Sequence, residues 1–221
     1  VVEAAHPVPD KLGVTASRKI LDTVDGLTSN DTVICLFSGG GSSLLCIPVD
    51  EISLAEKQAI KSQLLRSGAA IHEINTVRRK LSAIKGGRLA AACAPARVVT
   101  LAISDVPGND VSVIASGPTI EDSSSSVDAL EVIDRYKIET AARIRAVIEN
   151  SKPVSIADSD VRVLATSKDA LLAAATLADE HGITPYSLGD LSGDARDLAK
   201  QHADLALSIA AGNGPLQPPC V

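Results

Sequence analysis

Apolar and polar positions along the chain follow two periods, and these lay out its elements. Residues 32–37 (TVICLF) and 97–104 (RVVTLAIS) are short, nearly continuous runs of apolar and β-branched residues, the pattern of parallel strands buried on both faces. Helical spacing marks residues 15–24 and residues 54–67, where Ile60, Leu64 and Leu65 fall on one side behind a Ser53-Leu54-Ala55-Glu56 capping box. It also marks residues 74–84, which would bury Val77, Leu81 and Ile84, then 127–136 and 139–150. Residues 161–166, 170–180 and 183–188 read as strand, helix and strand, and a closing helix over 194–211 carries Leu198, Leu205 and Ile209 on one stripe. Strands alternating with helices, joined by right-handed crossovers, predict an α/β protein with a mostly parallel, doubly wound sheet.

The turns at the strand ends carry the unusual chemistry. The first strand runs into Ser38-Gly39-Gly40-Gly41-Ser42-Ser43. Consecutive glycines let the backbone adopt positive φ and approach a ligand with no Cβ in the way, so this turn is a candidate cradle for phosphate or carboxylate, reinforced if residues 42–45 open a helix. The second strand ends at Ser104-Asp105, on the same sheet edge, where ligands of open α/β sheets bind. A carboxylate there can hold Mg²⁺ or take a proton from a hydroxyl; equally, Asp before Pro and Gly often caps its own loop. Between them, Arg78, Arg79, Lys80, Lys85 and Arg88 form a cationic stretch broken by Gly86-Gly87. Arg78 and Lys85 share a helical face, Arg79 and Lys80 turn away, and a lysine beside Gly-Gly can meet an anion next to bare backbone N–H groups. His6 can face a ligand, although a lone histidine in a Pro-rich segment is more often a surface residue.

Composition narrows the classes. At 221 residues, with 45 % hydrophobic and 22 % charged residues, the chain can bury a substantial core. A net charge of −6 and three aromatic residues argue against a nucleic-acid surface. No apolar run reaches the roughly 20 residues of a membrane span. Cys35, Cys46, Cys93 and Cys220 have no CxxC spacing and read as reduced thiols, which points to the cytoplasm. There is no GxxxxGK[ST], GxGxxG, GxSxG or HExxH. The residues by themselves describe an anion cradle, a cation and an acid at strand ends, a set suited to phosphoryl transfer.

The stretches SGGGSSLL (38–45), HEINTVRRKLSAIKGGRLA (72–90), ISDVPGND (103–110) and IASGPT (114–119), with HPVPD (6–10) and LGDLSGDAR (188–196), closely resemble the glycerate 2-kinase family, whose members also go by the name hydroxypyruvate reductase. The resemblance implies a Rossmann-like three-layer αβα domain and transfer of the ATP γ-phosphoryl group to the 2-hydroxyl of D-glycerate, with Mg²⁺. It implies that Lys85 and Asp105 are catalytic, that Ser38, Gly39, Gly40, Gly41, Ser42, Asn75, Arg78, Ser116 and Gly117 bind nucleotide or substrate anions, and that Asp105 and Asp110 hold the metal. Asn109 stands where the family usually has an acid. The resemblance further implies that residues 1–214 are the larger domain, truncated at its start, that 215–221 begin the link to a C-terminal MOFRL domain, and that the fragment is inactive alone. A homodimer is left open. The rival readings are an NAD(P)-dependent hydroxypyruvate reductase and a non-catalytic anion-binding module.

Overall fold

The computed structural model describes residues 1–156, 159–191 and 193–221. Its elements run α1 (Lys11–Thr23), β1 (Thr32–Phe37), α2 (Gly41–Leu44), α3 (Leu54–Arg66), α4 (Ile71–Lys80), α5 (Arg88–Ala92), β2 (Arg97–Ser104), α6 (Ser126–Arg135), α7 (Ala142–Glu149), β3 (Ser159–Thr166), α8 (Ser167–Glu180) and α9 (Ala195–Ala210), with 3₁₀ turns at Pro107–Asn109 and Ile114–Ser116. The chain divides into two compact units, Val1–Leu164 and Ala165–Val221. The expected α/β class is the one observed: the strands form one sheet in the order β1-β2-β3. β1 and β2 pair in parallel from Thr32 opposite Arg97 to Phe37 opposite Ala102, so both strands end at the same edge.

Local chemistry sets the element ends. Asp10 starts α1 by accepting the Gly13 N–H at 2.8 Å, which places this helix four residues earlier than apolar spacing alone suggests. Ser53 and Glu56 form the expected capping box on α3. α4 ends at Lys80, before the predicted stop, because the following residues turn back so that Ser82 bridges to Pro48 in an antiparallel fashion.

Two hydrophobic cores form among the described residues of the first unit. One is helical and gathers Ile60 and Leu64 of α3, Ile74 and Val77 of α4, Val132 and Ile133 of α6, and Ile144 and Ile148 of α7. The other lies on one face of the sheet and joins Cys35 and Val98 to Ile47, Ile84, Leu89 and Cys93. The opposite face of β1 leaves Ile34 and Leu36 exposed, so β1 is not buried on both sides as its apolar run suggests. In the second unit the strand predicted over 183–188 reduces to a single parallel bridge between Thr184 and Cys220. The backbone bonds there, from Thr184 N–H to the Pro219 carbonyl, Val221 N–H to the Thr184 carbonyl and Tyr186 N–H to the Val221 carbonyl, are too short a ladder for a strand. Among the described residues no helix is long and apolar enough to cross a membrane.

Candidate active site

The edge where β1 and β2 end carries a cleft of about 290 Å³, lined by residues 38–43, His6, Asn75, Arg78, Asp105 and Ala115 among others. Each glycine of the turn has its own steric reason. Gly40 sits at φ +83°, where an L side chain is strained. A Cβ on Gly39 would lie 2.6 Å from an Asp105 carboxylate oxygen, and one on Gly41 would lie 2.9 Å from the Ala115 methyl. The turn is therefore a surface against which Asp105 and Ala115 pack directly. The helix that follows, α2, is a single turn in which the Ser43 and Leu44 N–H groups donate to the Gly40 carbonyl.

A ring of hydrogen bonds ties three distant segments beneath the cleft. The Ser42 and Ser116 hydroxyls meet at 2.9 Å, and Ser116 donates to Asn75 Oδ1 at 3.2 Å. Arg78 donates to the same oxygen at 3.1 Å and, with its other terminal nitrogen, to the Ser42 carbonyl at 2.7 Å. Asn75 and Arg78 are one turn apart on α4, so one helix face holds both ends of the ring. The Ser116 corner is held in a sparsely populated backbone region, with Ala115, Ser116 and Gly117 at φ +51°, +64° and +62°. Such strain persists only where surrounding contacts fix it, and it clusters at functional sites. The contacts here are backbone bonds: the Gly86 N–H donates to the Ser116 carbonyl at 3.3 Å and the Gly87 N–H to the Gly117 carbonyl at 2.8 Å. Those two N–H groups are thus occupied inside the fold and do not face an anion beside Lys85, as the Lys-Gly-Gly sequence suggested.

Behind the turn lies a second, small cavity of about 20 Å³, lined by Ser42, Cys46, Lys57, Lys61, Arg78 and Lys85 together with apolar residues of α3 and α4. Lys85 is 1 % exposed, and its ammonium donates to the Ala115 carbonyl at 2.8 Å. Burial, then the neighbouring Arg78 and Lys57, hold its pKa well below the usual lysine value. Lys57 donates to the Ile47 carbonyl at 3.1 Å, and burial brings its pKa down to about 8. Lys61 reaches the Pro7 carbonyl at 2.8 Å. Burial also lowers the Arg78 pKa, yet a guanidinium stays charged at neutral pH. Among the described residues, none of these four cations is paired with a carboxylate.

Ser38, Gly39, Gly40, Gly41, Ser42, Asn75, Arg78 and Asp105 therefore converge on the cleft, as their motifs suggested. Ser116 lies fully buried under its floor, and Gly117 contributes a carbonyl to the Gly87 N–H. Lys85 stands behind the turn and Asp110 beside the next one, where its carboxylate accepts the Ser112 N–H at 2.8 Å. Lys57 and Lys61 carried no signal in the sequence, and His6 read more readily as a surface residue, with the HPVPD stretch as the available signal. Among the described residues no group of three or more His, Cys, Asp and Glu could hold a metal ion. Asp105 suits a magnesium ion whose remaining ligands are phosphate oxygens and water.

The sequence profile of the domain of unknown function DUF4147 matches residues 1–149. The chain belongs to the DUF4147 family. It is 46 % identical over 225 residues to a putative hydroxypyruvate reductase of Agrobacterium vitis, covering 100 % of this chain and 58 % of that protein. It is 41 % identical over 220 residues to the D-glycerate 2-kinase of Thermotoga maritima, covering 99 % and 53 %. The crystal structure of a glycerate kinase from the same organism superposes with a TM-score of 0.81 at 41 % identity, over 99 % of this chain and 53 % of that one. The DUF4147 chain described here thus spans about half the length of the curated relatives it matches.

Proposed function

We propose that this chain is the larger part of an ATP-dependent D-glycerate 2-kinase acting in the cytoplasm. The single observation that carries the reading is the cleft itself, where a three-glycine turn, the Arg78 guanidinium and the Asp105 carboxylate meet at the ends of adjacent parallel strands. Phosphoryl transfer needs positioning and charge neutralisation more than covalent help from the protein, and these residues supply both. The glycine turn gives the phosphates close backbone approach. Arg78, fixed by Asn75 and Ser42, meets the substrate carboxylate or a phosphate as a rigid fork. Asp105 faces the turn and would hold a magnesium ion, which would supply charge neutralisation at the phosphate oxygens. Lys85 works from behind: its bond to the Ala115 carbonyl fixes the strained corner that holds Ser116. Asp110 is a further candidate ligand to the metal.

The relatives' names divide between kinase and reductase. The cleft favours the kinase, because the turn at the end of β1 is not a dinucleotide fingerprint and the lining groups match anions. We further propose that residues 1–214 need a domain beyond residue 221 to exclude water from the reaction, so that the 221 residues alone turn over little or nothing. The test is a coupled assay of the full-length protein with ATP, Mg²⁺ and D-glycerate, with the phosphorylated position read by phosphorus NMR. Formation of 2-phosphoglycerate is the expected result. Absence of any ATP-dependent product, with NADH fluorescence changing on titration, would move the assignment to the reductase.

A further inference from the structure

We propose that His6 is a catalytic residue of this cleft, taking the proton from the hydroxyl group that attacks the phosphate; this inference rests on the kinase reading. His6 lines the same cleft as Arg78 and Asp105. The edge of its ring lies over the glycine turn, with Cδ2 and Nε2 3.5 and 3.8 Å from where a Gly40 Cβ would stand. Asp105 occupies the equivalent place over Gly39. A carboxylate and an imidazole therefore bracket two consecutive glycines.

The segment carrying His6 is a fastened strap. The Pro7 carbonyl accepts from the Ser43 hydroxyl and from the Lys61 ammonium, each at 2.8 Å, and the Pro9 carbonyl accepts from the Gln58 side-chain amide at 2.5 Å. These three bonds spend side chains of α2 and α3 on holding one short piece of backbone over the turn. Neither ring nitrogen of His6 bonds to another described residue, so both remain for a ligand.

The two groups divide the work by charge. A carboxylate facing a phosphate cradle is repelled unless a cation lies between, which suits Asp105 to a metal. A neutral imidazole approaches the same region without that cost and has a nitrogen lone pair for a hydroxyl proton. In the step, the acceptor O–H proton moves to a His6 nitrogen while the oxygen forms a bond to the γ-phosphorus. The bond from that phosphorus to the β,γ-bridging oxygen breaks, ADP leaves with the electron pair, and the imidazolium returns its proton to water. Asp105 and Arg78 line the cleft with His6, and Lys61 lies under the strap, so these are the charged groups around the ring.

The full-length kinase carrying His6→Gln, and separately His6→Asn, tests this. Expected are a kcat lower by about 100-fold or more, a D-glycerate KM moved by no more than about threefold, and loss of the acidic limb of the pH profile of kcat/KM. A second readout needs no turnover: the histidine ring signal that disappears in His6→Gln should shift in the wild-type proton NMR spectrum when D-glycerate is added without nucleotide. Variants with kcat within about twofold of wild type, or a His6 signal indifferent to D-glycerate, overturn the proposal while leaving the kinase reading intact. A wild-type enzyme that makes no 2-phosphoglycerate overturns both.

Discussion

Three consecutive cations on α4 meet opposite fates. Arg79 and Lys80 converge on Asp122, at 3.0 and 2.9 Å, with all three side chains at most 8 % exposed. Arg78, on the other side of the same helix, joins Lys57, Lys61 and Lys85 around the back of the glycine turn, where carbonyls and an amide oxygen take the place of any carboxylate. The first group is closed: a buried carboxylate between the two cations neutralises one of them, and the Ser112 and Ser124 carbonyls take further N–H bonds. The second keeps a surplus of positive charge that the fold itself does not neutralise. Burying charge is costly in either case, and only the second arrangement leaves something for an anion to do. The difference separates scaffold from site within one turn of helix.

The largest effect should come from opening the closed group. Asp122→Ala strands Arg79 and Lys80 without their counter-charge and is expected to cost about 3–5 kcal/mol in urea unfolding. A change below about 1 kcal/mol would show that the pair is solvated and the contrast unfounded. The same carboxylate predicts the acid limb. Burial pushes its pKa up, but hydrogen bonds from Ser124, Lys80 and Arg79 outweigh this and hold it below the usual aspartate value. A depressed carboxylate contributes stability that is present above the unfolded-state pKa of about 3.9 and is lost as pH falls through the folded one, so Asp122→Asn should flatten the acid loss.

In the open group the ionised form is the disfavoured one, although stability again rises with pH. Lys57, lowered from 10.5 to about 8, is charged at neutral pH against the cost of its burial. Between those two values the unfolded chain holds a proton that the folded chain has released, so stability should rise with pH across that window. Lys57→Met should therefore stabilise the fold at pH 7, by on the order of 3 kcal/mol, and remove the rise. The Ile47 carbonyl it leaves still accepts from the Ala83 N–H at 3.0 Å. A destabilised Lys57→Met would mean that the cations are already compensated.

Filling the site is the next test. Inorganic phosphate at about 100 times its dissociation constant should add about 2.7 kcal/mol to the wild type and nothing to Arg78→Ala. Equal stabilisation of both would place the anion elsewhere.

How much of this could be read in advance depended on range. β1 and β2, the Ser53 capping box and the glycine turn rest on neighbours in sequence, and all were legible. The parallel pairing then carries the turn and Asp105 to one edge without further information. What stayed hidden depends on partners dozens of residues away. Lys85 reads as a lysine presented to an anion until Ala115 receives its side chain, and Gly86-Gly87 look like an open cradle until the Ser116 and Gly117 carbonyls fill it. Arg79 and Lys80 were expected to turn away from Arg78 and do so, yet the acid that awaits them lies more than 40 residues on. Residues 183–188 read as a strand, but pairing is a property of two segments, and among the described residues this one forms a single bridge, Thr184 to Cys220.

The smallest effect on stability should be the most telling for chemistry. Gly39 does not need positive φ; a methyl there meets only the far end of the exposed Asp105 side chain, 2.6 Å away. That carboxylate can swing aside, so Gly39→Ala should change the unfolding midpoint by an amount equivalent to about 0.5 kcal/mol or less. Turnover by the full-length enzyme should nevertheless drop by about 10-fold or more, because the displaced carboxylate no longer faces the turn. Asp122→Ala should do the reverse when assayed below its unfolding transition, keeping most of its kcat while losing stability. If Gly39→Ala instead unfolds the protein and leaves kcat intact, the glycine turn belongs to the scaffold, and the surplus charge behind it serves some purpose other than holding an anion in this cleft.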